Sequence, residues 1–186
     1  MYCIGIFCPG CNFISLDKAE PPKTYFSFDE IIDARASNKN KKILNNYKTM
    51  EFTAGSKFKG KQFIYKKNNQ YIKDYYNRFF ALPEKEIQNI CEKWFGITGV
   101  CDSSPNRVLK GKILEIYCDR TNDNNPVAII KIRFTIINFK NIDKIIMQKD
   151  FYSGVKFNNF TPENLVKAWS ICLKQILKNL ETKISQ

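Results

Sequence analysis

Between residues 71 and 111 the chain passes from an aromatic strand into a proline-started helix and back into a strand that carries a glycine. Tyr71, Tyr75, Tyr76 and Phe79 mark the first strand, predicted over 71–79. Pro83 then suits the first helical position, where a missing N–H costs nothing. Glu84 and Glu86 sit at the positive end of the helix dipole. Gly96 supplies the stop, so the helix is predicted over 83–95. Ile87, Ile90, Cys91 and Trp94 recur at i, i+3, i+4 and i+7, which gives this helix one apolar face. A helix with one apolar face between strands has to cover a sheet, and that constrains the chain to layered α/β architectures.

The remaining elements fix which one. Short strands are predicted over 24–28 and 58–66, the latter with Phe63 and Tyr65 on one face. Lys67-Asn68-Asn69-Gln70 reads as a hairpin turn. A strand over 107–118 is followed by Thr121-Asn122-Asp123-Asn124-Asn125-Pro126, residues that bond their own backbone in turns. A strand over 127–137 places Ala128, Ile130, Ile132, Phe134 and Ile136 on one side and Lys131, Arg133 and Thr135 on the other. A third strand follows over 145–152, with Ile145, Met147 and Phe151 assigned to its inner side. The last helix runs over 162–183, capped by Thr161, with the stripe Leu165, Ala168, Trp169, Cys172, Ile176 and Leu180. A short edge strand is predicted over 98–102. The fold class is therefore α+β: a mostly antiparallel sheet with two amphipathic helices on one face.

Composition narrows the function. The chain has no histidine, which removes Ser-His-Asp and Cys-His nucleophile pairs and the usual His-based metal sites. No Gly-x-x-x-x-Gly-Lys-Ser/Thr phosphate cradle occurs. No run approaches the roughly 18–20 apolar residues that span a bilayer. The expectation is a non-enzymatic protein with no cofactor and no metal. Net charge is +12, carried almost wholly by lysine and spread along the chain. That distribution reads as a solvated basic surface rather than a localised nucleic-acid footprint, so no nucleic-acid partner is expected. A lysine-driven module for nucleic acid or another anionic polymer is the alternative.

Cys3, Cys8 and Cys11 fall in the first eleven residues. Residues 2–11 are apolar and uncharged, and a polar stretch follows. Gly10-Cys11 suits the end of a lipobox, which makes Cys11 a lipidation site, 1–11 a truncated signal and 12–23 a tether. Asn12 after the cysteine favours the outer membrane. Cys8-Pro9-Gly10-Cys11 is also a Cys-x-x-Cys unit, so a thiol oxidoreductase using Cys8 and Cys11 is a further reading. Metal binding by these thiols would need a fourth, distant ligand.

The order of elements resembles the ABC-type transport auxiliary lipoprotein family, of which the PqiC group is the best-known part. The match lies in Phe63-Ile64-Tyr65-Lys66, in Tyr75-Tyr76, in Phe79-Phe80-Ala81-Leu82-Pro83, in Val108-Leu109-Lys110-Gly111-Lys112-Ile113-Leu114-Glu115, and in the last helix with Ala168. It covers residues 24–182, so 24–186 is read as one domain. The chain departs from the family at Phe79, where tryptophan is typical. The resemblance implies a fold similar to the N-terminal domain of TolB. It also implies an auxiliary role beside an ABC transporter and an Mce-domain protein that move lipid across the Gram-negative envelope. Lipid anchoring on the periplasmic side of the outer membrane and assembly as a homo-oligomeric ring are implied as well. It carries over no catalytic residues. Tyr71, Tyr75, Tyr76, Phe79 and Phe80 are the candidate surface for a lipid or partner protein, because such ligands need exposed aromatic area rather than titrating groups. Strand alternation would send about half of them into the core.

Overall fold

The structure is a computed structural model that describes residues 21–28, 47–97, 106–141 and 144–185. The expected strand over 98–102 and the three N-terminal cysteines lie outside these residues. Eight strands form one mixed sheet: β1 (Thr24–Phe26), β2 (Tyr47–Thr49), β3 (Thr53–Ala54), β4 (Gln62–Lys67), β5 (Gln70–Phe79), β6 (Arg107–Asp119), β7 (Val127–Asn138) and β8 (Ile145–Lys156). Among the described residues two helices accompany the sheet, α1 (Pro83–Phe95) and α2 (Pro162–Ile184). The strand order is β1-β5-β4-β6-β7-β8, and β2 and β3 also pair with β6. The long ladders β4–β5, β6–β7 and β7–β8 are antiparallel, whereas β1–β5, β2–β6, β3–β6 and β4–β6 are short and parallel. The α+β class and the antiparallel majority agree with the reading from sequence.

Local chemistry accounts for the boundaries. Asn68 and Asn69 take φ of 48° and 62°, the left-handed pair that a two-residue hairpin demands and asparagine tolerates. Gly96 closes α1 at φ 63° and returns its N–H to the Lys93 carbonyl. Thr161 caps α2 by accepting from the Asn164 N–H at 3.2 Å. Two boundaries differ from expectation. Gly60 at φ 113° interrupts the segment predicted over 58–66, so Phe58 belongs to a short 3-10 turn and β4 begins at Gln62. The third meander strand extends to Lys156 because β7 offers it partners as far as Val127.

The core lies between the sheet and the helices. All six residues of the α2 stripe are buried, as are Ile87, Ile90, Cys91 and Trp94 of α1. Trp169 meets Phe63 edge-on at 5.0 Å and tilts against Phe79 at 5.4 Å, and its indole N–H donates to the Tyr117 carbonyl at 3.2 Å. Gly111 lets Phe52 lie across β6, since a Cβ there would come within 2.5 Å of the Phe52 ring. Ala128, Ile130, Ile132, Phe134 and Ile136 face this core as predicted. Ile145 does not; it is 56% exposed. A register shift pairs Ile136 with Met147 and Ile137 with Ile145, which breaks the alternation at the start of β8.

The opposite phase of the same strands forms the outer face. It carries Lys110, Lys112, Glu115 and Asp119 on β6, Lys131 and Arg133 on β7, and Asp150 and Lys156 on β8. Lys66 on β4 and Lys73 and Arg78 on β5 continue it. Phe58, Tyr71 and Tyr117 form an aromatic cluster on this face, with centroids 5.4–6.2 Å apart.

Candidate functional site

The five aromatic candidates do not share a surface, and a bulge explains why. On β4 the step from Gln62 to Ile64 spans two residues, while their partners on β5, Arg78 and Lys73, are five apart. The surplus residues leave the ladder and reverse the side-chain phase of β5. Simple alternation would put Tyr71, Tyr75 and Phe79 on one face. Instead Tyr71 stays on the outer face, and Phe79 turns inward.

Phe79 is 2% exposed and packs on Phe63, Phe28 and Trp169. Its assignment to a contact surface is therefore corrected: it is a core residue. Tyr71 packs edge-on against Tyr117, and the Lys57 ammonium lies 4.1 Å from its ring centroid. Phe80 is 70% exposed just past the strand end, where its N–H donates to the Phe26 carbonyl and its own carbonyl accepts from Lys61 at 2.8 Å. The structure brings Tyr75 and Tyr76 together. Their rings stand edge-to-face at 5.4 Å, both are exposed, and Tyr75 is flanked by Lys23 at 4.8 Å and Arg78 at 5.3 Å.

Asp74 builds this pair and was not singled out from the sequence. One of its oxygens accepts from the N–H groups of Tyr76 (2.8 Å) and Asn77 (3.0 Å). The other accepts from the Asn77 side-chain amide and the Tyr65 hydroxyl, both at 2.7 Å. The available signal was local: an aspartate followed two and three residues later by the N–H groups it can accept, which is how Asx turns form. Burial raises the Asp74 pKa, but the bonds from Asn77, Tyr65 and Tyr76 outweigh it, so the carboxyl lies below its ordinary value of 3.8. A depressed carboxyl contributes stability above its unfolded pKa and loses it as pH falls through the folded value. Tyr75 and Tyr76 should therefore stay ordered at neutral pH and loosen in acid below about pH 4. Asp74→Ala should cost about 1–2 kcal/mol in urea unfolding and abolish that acid-dependent change in the tyrosine NMR signals.

Most polar groups elsewhere are tied into structure; among the described residues the buried Glu84 Oε2 and Trp94 Nε1 have no hydrogen-bond partner. Glu86 is 5% exposed and accepts from the N–H groups of Phe28 (3.1 Å) and Ala81 (2.8 Å) and from Ser27 Oγ (3.3 Å). It thereby joins α1 to the segments that leave the C-terminal ends of the parallel strands β1 and β5. Gln88 accepts from the Phe52 N–H at 3.1 Å, and Glu92 accepts from Gln88 and Thr49. Asp150 is held below its usual range by the Arg133 guanidinium. Cys91, Cys118 and Cys172 are buried free thiols. Burial pushes Cys118 up to about 12 and Cys172 up to about 11, and raises Cys91 further still, so at neutral pH all three are packed thiols rather than nucleophiles. Among the described residues no cluster of three His, Cys, Asp or Glu side chains is placed to hold a metal ion, and no helix is long and apolar enough to cross a membrane. Cys8 and Cys11 lie outside the described residues.

No protein-family model matches the chain, and no curated protein matches it. Solved structures do. A crystal structure of a Xanthomonas campestris protein of the DUF330 family aligns with TM-score 0.64 at 9% identity, covering 73% of this chain and 80% of that one. The crystal structure of an uncharacterized protein aligns with TM-score 0.63 at 11% identity, covering 88% of this chain and 99% of that one. A Caulobacter crescentus structure described as a putative lipoprotein aligns more loosely, with TM-score 0.44 at 9% identity, over 77% of this chain and 88% of that one. The first two establish a shared fold and nothing finer.

Proposed function

We propose that this protein is a non-enzymatic auxiliary lipoprotein of an ABC-type lipid transport system in the Gram-negative envelope. Its Tyr75–Tyr76 pair docks a partner subunit such as the Mce-domain protein. The observation that carries this reading is the bulge: four hydrogen bonds to the Asp74 carboxylate fix the backbone from which the exposed Tyr75 and Tyr76 side chains project. Exposed tyrosines held rigidly lose little entropy on binding and are frequent interface anchors. The resemblance in motif order over residues 24–182 supports the choice of partners, and the fold shared with the DUF330 structure is compatible with it. Cys11 would anchor the chain to the periplasmic side of the outer membrane, and one acyl site with basic surface nearby supplies the two signals that stable anchoring needs. ATP hydrolysis would take place on another subunit.

The test is affinity capture of the native protein from detergent-solubilised envelopes, with mass spectrometry of its N-terminus. Recovery of an ABC ATPase, its permease and an Mce-domain protein, with a diacylglyceryl group on Cys11, is the expected result. A chain that fractionates without membrane and captures none of them, or a purified chain that turns over a compound, overturns the reading.

A further inference from the structure

We infer that the outer face of the sheet, the side opposite both helices, rests on an anionic lipid bilayer. This goes beyond the function proposed above and needs no acyl anchor, so the two can fail separately. The inference stands on where the charge lies. Alternation collects lysine on one face of β4–β8, and the few carboxylates there are largely engaged: Asp150 by Arg133 (2.6 Å) and Lys131 (3.8 Å), Asp119 by Lys66 (3.6 Å). Lys73, Lys110, Lys112 and Lys156 make no ion pair among the described residues. All but the half-buried Lys110 are exposed. The two helices, by contrast, carry lysine and glutamate in near-equal number. Among the described residues the positive charge is therefore lopsided, with eight cations to three carboxylates on the outer face against six lysines to five glutamates in the helices.

The apolar content of the same face suits a bilayer surface better than a nucleic acid. Tyr25, Tyr71 and Tyr152 are 52%, 37% and 58% exposed, and register places all three in the outer phase. Tyrosine has an apolar body and a polar tip, which fits the headgroup region. Stacking on bases would need open ring faces, but Tyr71 is covered by Lys57, and Tyr152 folds back along its own strand, its hydroxyl 2.9 Å from where a Cβ on Gly154 would sit. Among the described residues of this face, the cations with no ion pair are four lysines and Arg78, and Arg78 is turned onto the Tyr75 carbonyl and ring. Lysines are point charges suited to a diffuse anionic surface rather than to bidentate phosphate reading.

The experiment uses the full chain carrying Cys11→Ser, so that no acyl group contributes. Its co-sedimentation is measured with phosphatidylcholine vesicles and with vesicles containing phosphatidylglycerol. The expected result is binding to the anionic vesicles alone, lost as salt shortens the Debye length from about 10 Å at 0.1 M to about 3 Å at 1 M. Each basic residue near such a surface is worth about fivefold, so Lys110→Glu with Lys112→Glu should weaken binding by roughly 25-fold or more. Lys73→Glu with Lys156→Glu should do the same from other strands, which guards against a local disturbance in β6. Lys174→Glu with Lys178→Glu, an equal change of charge on α2, should leave binding within about twofold, since the lost attraction is on the far side and screened. The inference is overturned if anionic vesicles are not bound, or if the α2 pair costs as much as the outer pairs. Displacement of the vesicles by a single-stranded oligonucleotide at lower concentration would also overturn it, by assigning the face to nucleic acid.

Discussion

Trp169→Ala is expected to lower the unfolding free energy by about 3–5 kcal/mol, the range for removing a fully buried aromatic side chain. Trp169 is the residue where α2 meets three strands. Its ring packs on Phe63 of β4 and Phe79 of β5, and its N–H reaches the carbonyl of Tyr117 on β6. The truncation leaves a cavity and an unpaired carbonyl at one point, and each adds to the cost. Trp169→Phe restores most of the volume but not the donor, so its loss should be about 1–2 kcal/mol. Urea titration followed by far-UV circular dichroism separates the two variants. Equal stability of wild type and Trp169→Ala would mean that α2 does not pack on the sheet as described.

Glu86→Ala is expected to cost about 2–5 kcal/mol, for a different reason. The carboxylate fills no large volume; it is the acceptor for two backbone N–H groups and a hydroxyl, and removing it leaves buried donors unpaired at about 1–3 kcal/mol each. The effect should be local as well as global. Hydrogen exchange at Phe28 and Ala81 should accelerate ahead of exchange in β6 and β7, because β1 loses its attachment to α1. Glu86→Gln keeps one good acceptor and should fall between the two. Uniform acceleration across the sheet would contradict the role assigned to Glu86.

Much of this was legible from sequence because it depends on short-range pattern. Pro83, Gly96 and Thr161 mark helix ends by backbone chemistry confined to a few residues. The alternation through β7 fixes which side is buried. The Asn68-Asn69 turn sets the hairpin. What was not legible was non-local or phase-changing. The aromatic run at 24–28 announced β1, but the three-residue β2 and the two-residue β3 are held by parallel pairing to β6, far along the chain, so no periodicity announces them. The Asp74 bulge inverts the alternation of β5, and any reading that counts by twos from Tyr71 puts Phe79 on the wrong face. The register shift at Ile136–Ile137 does the same to Ile145. The candidate site was thus half visible. Its aromatic residues stood out by type, while the carboxylate that arranges them looked like one more polar residue in a strand.

The central claim, that the Tyr75–Tyr76 pair is a docking surface, is tested most directly by Tyr75→Ser with Tyr76→Ser in the affinity capture. Both side chains are exposed, so the double variant should unfold within about 1 kcal/mol of wild type. The account predicts at least tenfold less Mce-domain protein recovered, equivalent to about 1.4 kcal/mol of binding, with Cys11 lipidation and membrane association retained. Undiminished recovery by a stably folded double variant would contradict it.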